Sequence, residues 1–261
     1  KRSGTSFKPR MASFREGMRE LPGALVACLG EAAVKVGSPL TSLTKEGTRW
    51  HAAWKDAAGS RQEGIFDAVV STVPAHALGR LPFPEPIREA LKPLAEIPYP
   101  PVNTLSLGFR RQDVAHPLNG FGVLVPECEQ RNVLGILFPS SIFPERAPEG
   151  HVLLTVFLGG TRQPELAGDN PVQSLQTAMP DLEALLGVRA EPGFRHFTHW
   201  PRAIPQYNVG YDRYLTSIDA AEHSMPGLYV AGNFRGGIAA GQALQNGIDT
   251  ARRIHDNLPA D

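Results

Sequence analysis

The sequence predicts a mixed α/β and α+β chain of two layered domains, the middle one inserted into the first. Three observations carry this. Residues 1–95 mix short strand-like runs with helical spacing. Residues 96–200 are dominated by apolar runs with strand alternation, most of them ended by Pro or Gly. Residues 201–261 close with a strand, a glycine-rich turn and an amphipathic helix. A chain that begins α/β, turns largely antiparallel β and then returns to strand–turn–helix has the order of an insertion.

Taken in order, ELPGALVACLGEA predicts a short helix from Pro22 to Leu29, stopped at Gly30. Val34 and Val36 alternate, Leu40 and Leu43 resume after a Gly-Ser-Pro break, and Trp50, Ala52 and Trp54 alternate again. That is the spacing of successive short strands in a meander. FDAVVSTVPAHAL holds a buried strand, Ala68 to Ser71, which leaves its sheet at Thr72-Val73-Pro74. Ile87, Leu91 and Leu94 have helical spacing. Beyond IPYPPVNT, Leu105, Leu107 and Phe109 share one strand face, and GFGVLVP, VLGILFP and HVLLTVFLGG are further strands. One helix interrupts them, NPVQSLQTAMPDLEALLGV, which Pro180 either kinks or splits. GFRHFTHWP is a last strand. A polar connection, QYNVGYDRYLTSIDAAEHSMPG, leads to a strand at Leu228–Ala231 and a final helix.

Composition narrows the function classes. With 42% hydrophobic and 20% charged residues in 261, the chain is an ordinary globular protein. Its 26 basic and 26 acidic residues cancel, which argues against a nucleic-acid binder. Cys28 and Cys128 form no disulfide framework and no C-x-x-C, as expected of a reducing compartment. No apolar run approaches the roughly 20 residues of a spanning helix. The chain opens on Lys1 and the basic stretch KRSGTSFKPR, which reads as the middle of something longer.

The densest signal is GLYVAGNFRGGIAAGQALQNG. Gly232, Gly236, Gly237, Ala239, Ala240 and Gly241 fall where a strand becomes a helix. A helix start offers unpaired N–H groups and a positive dipole end, and near-absent side chains let a flat or negative group approach them. Tight helix–sheet packing also favours small residues, and spacing alone leaves both readings open. No phosphate-loop pattern G-x-x-x-x-G-K-[ST] occurs. Gly120 and Gly122 form a G-x-G, but Val123–Val125 continue as a strand. His196 and His199 are three apart on a strand, so they face opposite sides and no metal site is expected. There is no G-x-S-x-G elbow, and no acid–base pair stands out. Arg252 and Arg253 read as a solvated helix face, and Arg110 and Arg111, which could meet a propionate, read in preference as surface residues.

Five separated motifs, GLYVAGNFRGGIAAGQALQNG, HWPRAIPQYNVGY, GFGVLVPECEQ, LGILFPSSIFPERAP and FLGGTRQPEL, resemble protoporphyrinogen oxidases from Phe14 to Ile254. These are flavoenzymes of haem biosynthesis with monoamine-oxidase-like architecture. The resemblance implies an FAD-binding, Rossmann-like domain at 1–95 and 201–261, with an antiparallel substrate domain at 96–200 inserted in it. The family begins with a strand–G-x-G-x-x-G–helix unit that has no counterpart here. The chain therefore reads as the C-terminal portion of such an enzyme. It also lacks the family's membrane-facing helical segment and the arginine that holds a substrate propionate there.

By the same resemblance, Gly232, Ile238, Ala239 and Ala240 set backbone against the flavin ring. Trp200 stands beside FAD, and the Leu40 backbone contacts its adenine end. Most relatives carry Val at that last position. Phe121, Leu124, Leu137 and Phe157 line the substrate chamber; from pattern alone all four would be sheet core. The implied activity removes hydrogen from protoporphyrinogen IX or coproporphyrinogen III, with FAD as acceptor and dioxygen as final oxidant. The resemblance assigns no catalytic side chain and no metal. It implies a cytoplasmic protein, compatible with a homodimer and with peripheral attachment to the inner membrane through the absent segment. Two rival readings stay open: a non-catalytic tetrapyrrole-binding module, and another flavin amine oxidase or desaturase, which should lack WPRAIPQY and GVLVPECEQ.

Overall fold

A computed structural model describes residues 11–258; the basic opening, residues 1–10, lies outside them. Two hydrophobic cores divide the chain. One joins Leu43, Trp50, Ile87, Leu91 and Leu94 to residues far along the sequence, among them Tyr214, Ile218, Leu228 and Phe234. The other is drawn from Leu105 to Val188. Each fully buried leucine, isoleucine or phenylalanine in them contributes roughly 1.5–3 kcal/mol relative to exposure.

Helix α1 spans Glu20–Leu29 and ends at Gly30, whose N–H donates to the Val26 carbonyl. None of its residues is buried. The expected strand at Val34 and Val36 is absent. A 3-10 turn covers Glu31–Ala33 instead, and Val36 is 79% exposed. Two valines stopped by a turn at Gly37 are too short to pair, and pairing starts only at Leu40. Strands β1 (Leu40–Glu46), β2 (Arg49–Lys55) and β3 (Arg61–Phe66) then form an antiparallel meander, with Trp50 fully buried. Strand β4 (Val69–Ser71) follows, then the short helices α2 (Ala75–Leu78) and α3 (Glu85–Leu91). The helical spacing through Leu94 continues past α3 as a 3-10 turn, Lys92–Glu96. Pro93 lacks the N–H that an α-helix would need there.

The second core is built on β5 (Val102–Arg110), β6 (Gly122–Leu124), β7 (Val133–Leu137) and β8 (His151–Gly159), with helix α4 (Pro139–Ile142) before β8. Helix α5 (Pro171–Leu186) and strand β9 (Phe194–Trp200) complete it. The five strands are antiparallel in the order β6-β7-β8-β5-β9. Helix α5 runs unbroken through Pro180, so it is not split. Pro180 lies on its exposed face, where water can satisfy the carbonyl left without a donor. Asn170 caps the helix by accepting from the N–H groups of Val172 and Gln173. Leu175, Ala178, Leu182 and Leu186 bury against Leu105, Leu107 and Phe109, so one face of the sheet is covered and the other is left open.

The polar connection is largely a helix, α6 (Asp212–Ser224). Its apolar stripe is narrow: only Tyr214, Ile218 and Ala221 are buried, spaced four and three apart among charged neighbours. Strand β10 (Leu228–Val230) pairs parallel with β4. Helix α7 (Ala240–Asn257) follows, with Thr250 alone among its residues buried.

Candidate functional site

Strands β4 and β10 run parallel, so both carboxyl ends open to the same side. The Ala231 N–H extends their ladder by donating to the Ser71 carbonyl at 2.9 Å. The Ser71 hydroxyl is buried there without a partner. In parallel sheets this end is where ligands dock, because the loops leaving the strands diverge from it.

The chain leaves β10 through Gly232, at φ +148°, where a Cβ would lie 2.6 Å from the Phe234 ring. Phe234 is fully buried and anchors the turn in the core. Asn233, Phe234, Arg235 and Gly237 are each held. The Tyr207 hydroxyl donates to the Asn233 carbonyl at 2.9 Å, and the Tyr211 hydroxyl donates to the Phe234 carbonyl at 2.7 Å. The Arg235 N–H returns to the Gly232 carbonyl at 3.0 Å. The Arg235 guanidinium spans the Val230 carbonyl, Glu222 and Asp219. The Gly237 N–H donates to the Tyr207 hydroxyl at 3.1 Å. Burial pushes the Tyr207 and Tyr211 phenols above their usual range, so both remain neutral donors.

Helix α7 then begins with donors to spare. The Ala239 N–H donates to its own helix's Gln242 Oε1 at 3.0 Å. Among the described residues, the N–H groups of Ile238, Ala240, Gly241 and Gln242 have no acceptor. Ile238, Ala239 and Ala240 are exposed. Of the three amides the resemblance singles out, two are therefore unpartnered among the described residues and one is held by the Gln242 side chain. Gln242 also sits where a Cβ on Gly237 would fall.

The open face of the five-stranded sheet brings together three of the four residues expected to line a chamber. Direct cross-strand partners share a face, and Leu124 pairs with Gly135, Gly135 with Phe157, Phe157 with Thr104, and Thr104 with Thr198. One step along, Leu137 pairs with Thr155, Thr155 with Ser106, and Ser106 with His196. Leu124 is 88% exposed, while Leu137 and Phe157 are half-buried. The face is thus apolar over β6–β8 and hydroxyl-rich over β5 and β9. Phe121 precedes β6, out of phase with Gly122 and Leu124, and is half-exposed.

Trp200 belongs to the same face. It pairs with Val102, is 49% exposed and directs its indole N–H to Thr104 Oγ1 at 3.4 Å. The chain from Trp200 runs back towards the glycine turn. Ala203 donates to the Pro100 carbonyl and Gln206 to the Pro98 carbonyl, which delivers Tyr207 to the turn. Leu40 opens β1 opposite Trp54 and packs on the core that also holds Phe234.

His196 and His199 do face opposite ways. His199 Nδ1 lies 2.7 Å from Asn103 Oδ1, whereas His196 is exposed opposite Ser106. Among the described residues no cluster of His, Cys, Asp or Glu could hold a metal ion. Cys28 and Cys128 are free and exposed. Arg110 pairs with Asp113 at the surface, as expected. Arg253 does not simply face water: it pairs with Glu222, whose side chain is 8% exposed, and ties α7 to α6. The residues that hold the turn, Tyr207, Tyr211 and Arg235, were not singled out from the sequence. No spacing marks Tyr207, which lies in the irregular stretch before α6 begins at Asp212.

Residues 2–255 match the family model described as flavin-containing amine oxidoreductase. The chain is 36% identical over 256 residues to the mitochondrial protoporphyrinogen oxidase of Nicotiana tabacum, covering 92% of this chain and 50% of that protein. It is 35% identical over 254 residues to protoporphyrinogen oxidase 2 of Arabidopsis thaliana, with 92% and 49% covered. The chain thus spans about half the length of the curated relatives it matches. A crystal structure from Exiguobacterium sp. 255-15, with a provisional protoporphyrinogen oxidase name, superposes with a TM-score of 0.79 at 21% identity, over 94% of this chain and 52% of that one. A putrescine oxidase variant superposes at 0.67 with 14% identity, over 92% and 53%.

Proposed function

The chain belongs to the flavin-containing amine oxidoreductase family, and we propose that it forms the flavin-ring wall and substrate floor of an FAD-dependent porphyrinogen oxidase. The substrate in this reading is protoporphyrinogen IX or coproporphyrinogen III, and dioxygen is the final oxidant. The relatives from Nicotiana and Arabidopsis are both named protoporphyrinogen oxidases, which supports the substrate class.

The donor set suits a flavin. A ring that carries carbonyl oxygens and gains negative charge on reduction needs amide donors and no intruding side chain. The unpartnered N–H groups of Ile238, Ala240 and Gly241 meet the first need, and the Ala and Gly side chains meet the second. Bound there, FAD would supply a two-electron acceptor. The Trp200 indole would close one side, and the orphaned Ser71 hydroxyl offers a polar contact near the strand ends.

One observation carries the substrate reading: Leu124, Leu137 and Phe157 lie on one open face that Trp200 shares. A flat apolar macrocycle needs such a floor, with a few polar groups to orient it. Thr104, Ser106, Thr155 and Thr198 supply those groups on the same face. The chain's own part is to bind, orient and shield the ring from water.

The test is the visible spectrum and product analysis of the purified whole gene product. Bound flavin, with porphyrin and peroxide formed from a porphyrinogen under air, supports the proposal. A colourless protein that still binds porphyrin would favour a non-catalytic module. Flavin with amine oxidation and no porphyrinogen turnover would move the chain to another branch of the family.

A further inference from the structure

The amides of helix α7 are useful to a flavin only if the turn in front of them holds still. That turn is Asn233–Gly237, and it contains two glycines at φ +89° and +117°, Gly236 and Gly237. Glycine there is free to leave those angles, so the segment needs outside restraint. One side chain meets both its ends. Tyr207 donates its hydroxyl proton to the Asn233 carbonyl at 2.9 Å and accepts the Gly237 N–H at 3.1 Å. A single hydroxyl can donate once and accept twice, so this use is fully consistent.

The Tyr207 ring is itself held. It stacks on Tyr211, with centroids 4.3 Å apart and planes 18° from parallel. Tyr211 is buried, meets Tyr214 edge-on at 5.2 Å and takes the next carbonyl, Phe234, at 2.7 Å. Consecutive carbonyls of the turn are therefore gripped by two stacked rings. By accepting the Gly237 N–H, Tyr207 also sets where the unpartnered donors begin, at Ile238.

We propose that Tyr207 is a positioning residue, whose hydroxyl fixes the glycine turn so that the first amides of α7 meet the flavin ring in register. This rests on the flavin reading given above. It adds a residue that governs cofactor affinity and reducibility by way of the turn it holds.

The experiment compares the wild-type whole gene product with Tyr207→Phe and Tyr211→Phe, each stripped of flavin. Tyr207 is 44% exposed, so Tyr207→Phe removes one hydroxyl, keeps the stacking and leaves the core intact. For Tyr207→Phe the dissociation constant for FAD should rise about tenfold, the size of one lost hydrogen-bonding group. The midpoint potential of bound flavin should fall, because reduced flavin loses more stabilisation than oxidised flavin when the amides drift. Amide exchange over residues 233–240 of the flavin-free protein should quicken at an unchanged thermal midpoint. Tyr211→Phe should lower that midpoint instead. An FAD affinity and potential equal to wild type in Tyr207→Phe overturn the proposal, as does flavin loss that only tracks a lowered midpoint. If wild-type protein takes up no FAD, the flavin reading itself falls, and this one with it.

Discussion

Glu222 and Arg235 face each other across the start of the glycine turn, with Oε1 and Nη1 2.6 Å apart and side chains only 8% and 18% exposed. The same carboxylate accepts the Val230 N–H at 2.8 Å and the Arg253 guanidinium. One side chain of α6 thereby joins β10, the turn and α7.

Burial by itself would raise the Glu222 carboxyl, but Arg235, the Val230 amide and Arg253 outweigh it and hold the group below its usual 4.5. A depressed folded pKa gives stability that is present above the unfolded value and is lost as pH falls through the folded one. Thermal midpoints should therefore hold near neutral pH and drop below about 4.5. Glu222→Gln should cost about 2 kcal/mol at pH 7, because it removes the nearly buried charge that Arg235 and Arg253 share, although Arg235 keeps Asp219. It should also flatten the acid limb of the curve. A variant whose midpoint falls as steeply as wild type between pH 5 and pH 3, values chosen to bracket roughly one unit either side of a carboxylate pKa, would show that the limb belongs to other groups.

Asn103 is fully buried on the covered face of the sheet, yet every polar atom of its side chain is used. Its amide nitrogen donates to the Gly168 carbonyl at 2.7 Å and to Ser174 Oγ at 2.9 Å, which leaves Oδ1 for His199. A carbonyl can only accept, so the amide orientation is set and the imidazole must donate through Nδ1. Nitrogen-correlated spectra should show His199 as the Nδ1–H tautomer. Asn103→Ala should destabilise by about 2 kcal/mol, since buried Ser174 and half-buried His199 both lose a bond to it. The urea midpoint reports this directly; a loss under half a kcal/mol, roughly the level of a neutral surface change, would mean that water replaces the amide.

Much of this architecture was legible because burial wrote it into period. Leu105, Leu107 and Phe109 alternate since one face of β5 is covered by α5, and the helix at 171–186 shows its cap, Asn170, and its stop, Gly187. Where burial was one-sided and weak, the pattern failed. Strand β3 carries Arg61, Gln62 and Glu63 and exists only because β2 offers a partner edge. Helix α6 buries three residues out of thirteen, too few to outweigh its charges. Val34 and Val36 alternate with no strand to receive them. At the site, the small residues of 232–241 were visible as a run, but Tyr207 and Glu222 act on that run from other segments. Contacts of that kind leave no local spacing to read.

At the start of α7, side-chain size should decide cofactor affinity. Ala239→Leu adds three carbons beside amides that must approach a flat ring. Crowding of that order costs about 2 kcal/mol, or roughly a thirtyfold weaker FAD affinity. Ala239 is exposed in the flavin-free chain, so the thermal midpoint without FAD should not move. Equilibrium titration with FAD separates the two effects. An unchanged affinity would mean that the ring does not lie against residue 239.

The sheet's open face should separate substrate binding from turnover. Phe157 sits centrally, between Gly135 on one side and Thr104 on the other, where a macrocycle would rest on it. Phe157→Ala removes most of that apolar contact, worth about 1.5–3 kcal/mol, and KM for the porphyrinogen should rise about tenfold or more. If the contact serves ground and transition states alike, kcat should stay within about threefold of wild type. Leu154, three residues back on β8 and therefore on the opposite face, is fully buried in the core that α5 covers. Leu154→Ala should therefore lower the thermal midpoint and leave KM of the folded fraction unchanged. If the Phe157 variant loses stability with KM intact, while the Leu154 variant behaves as predicted, Phe157 is core and the floor lies elsewhere on the sheet.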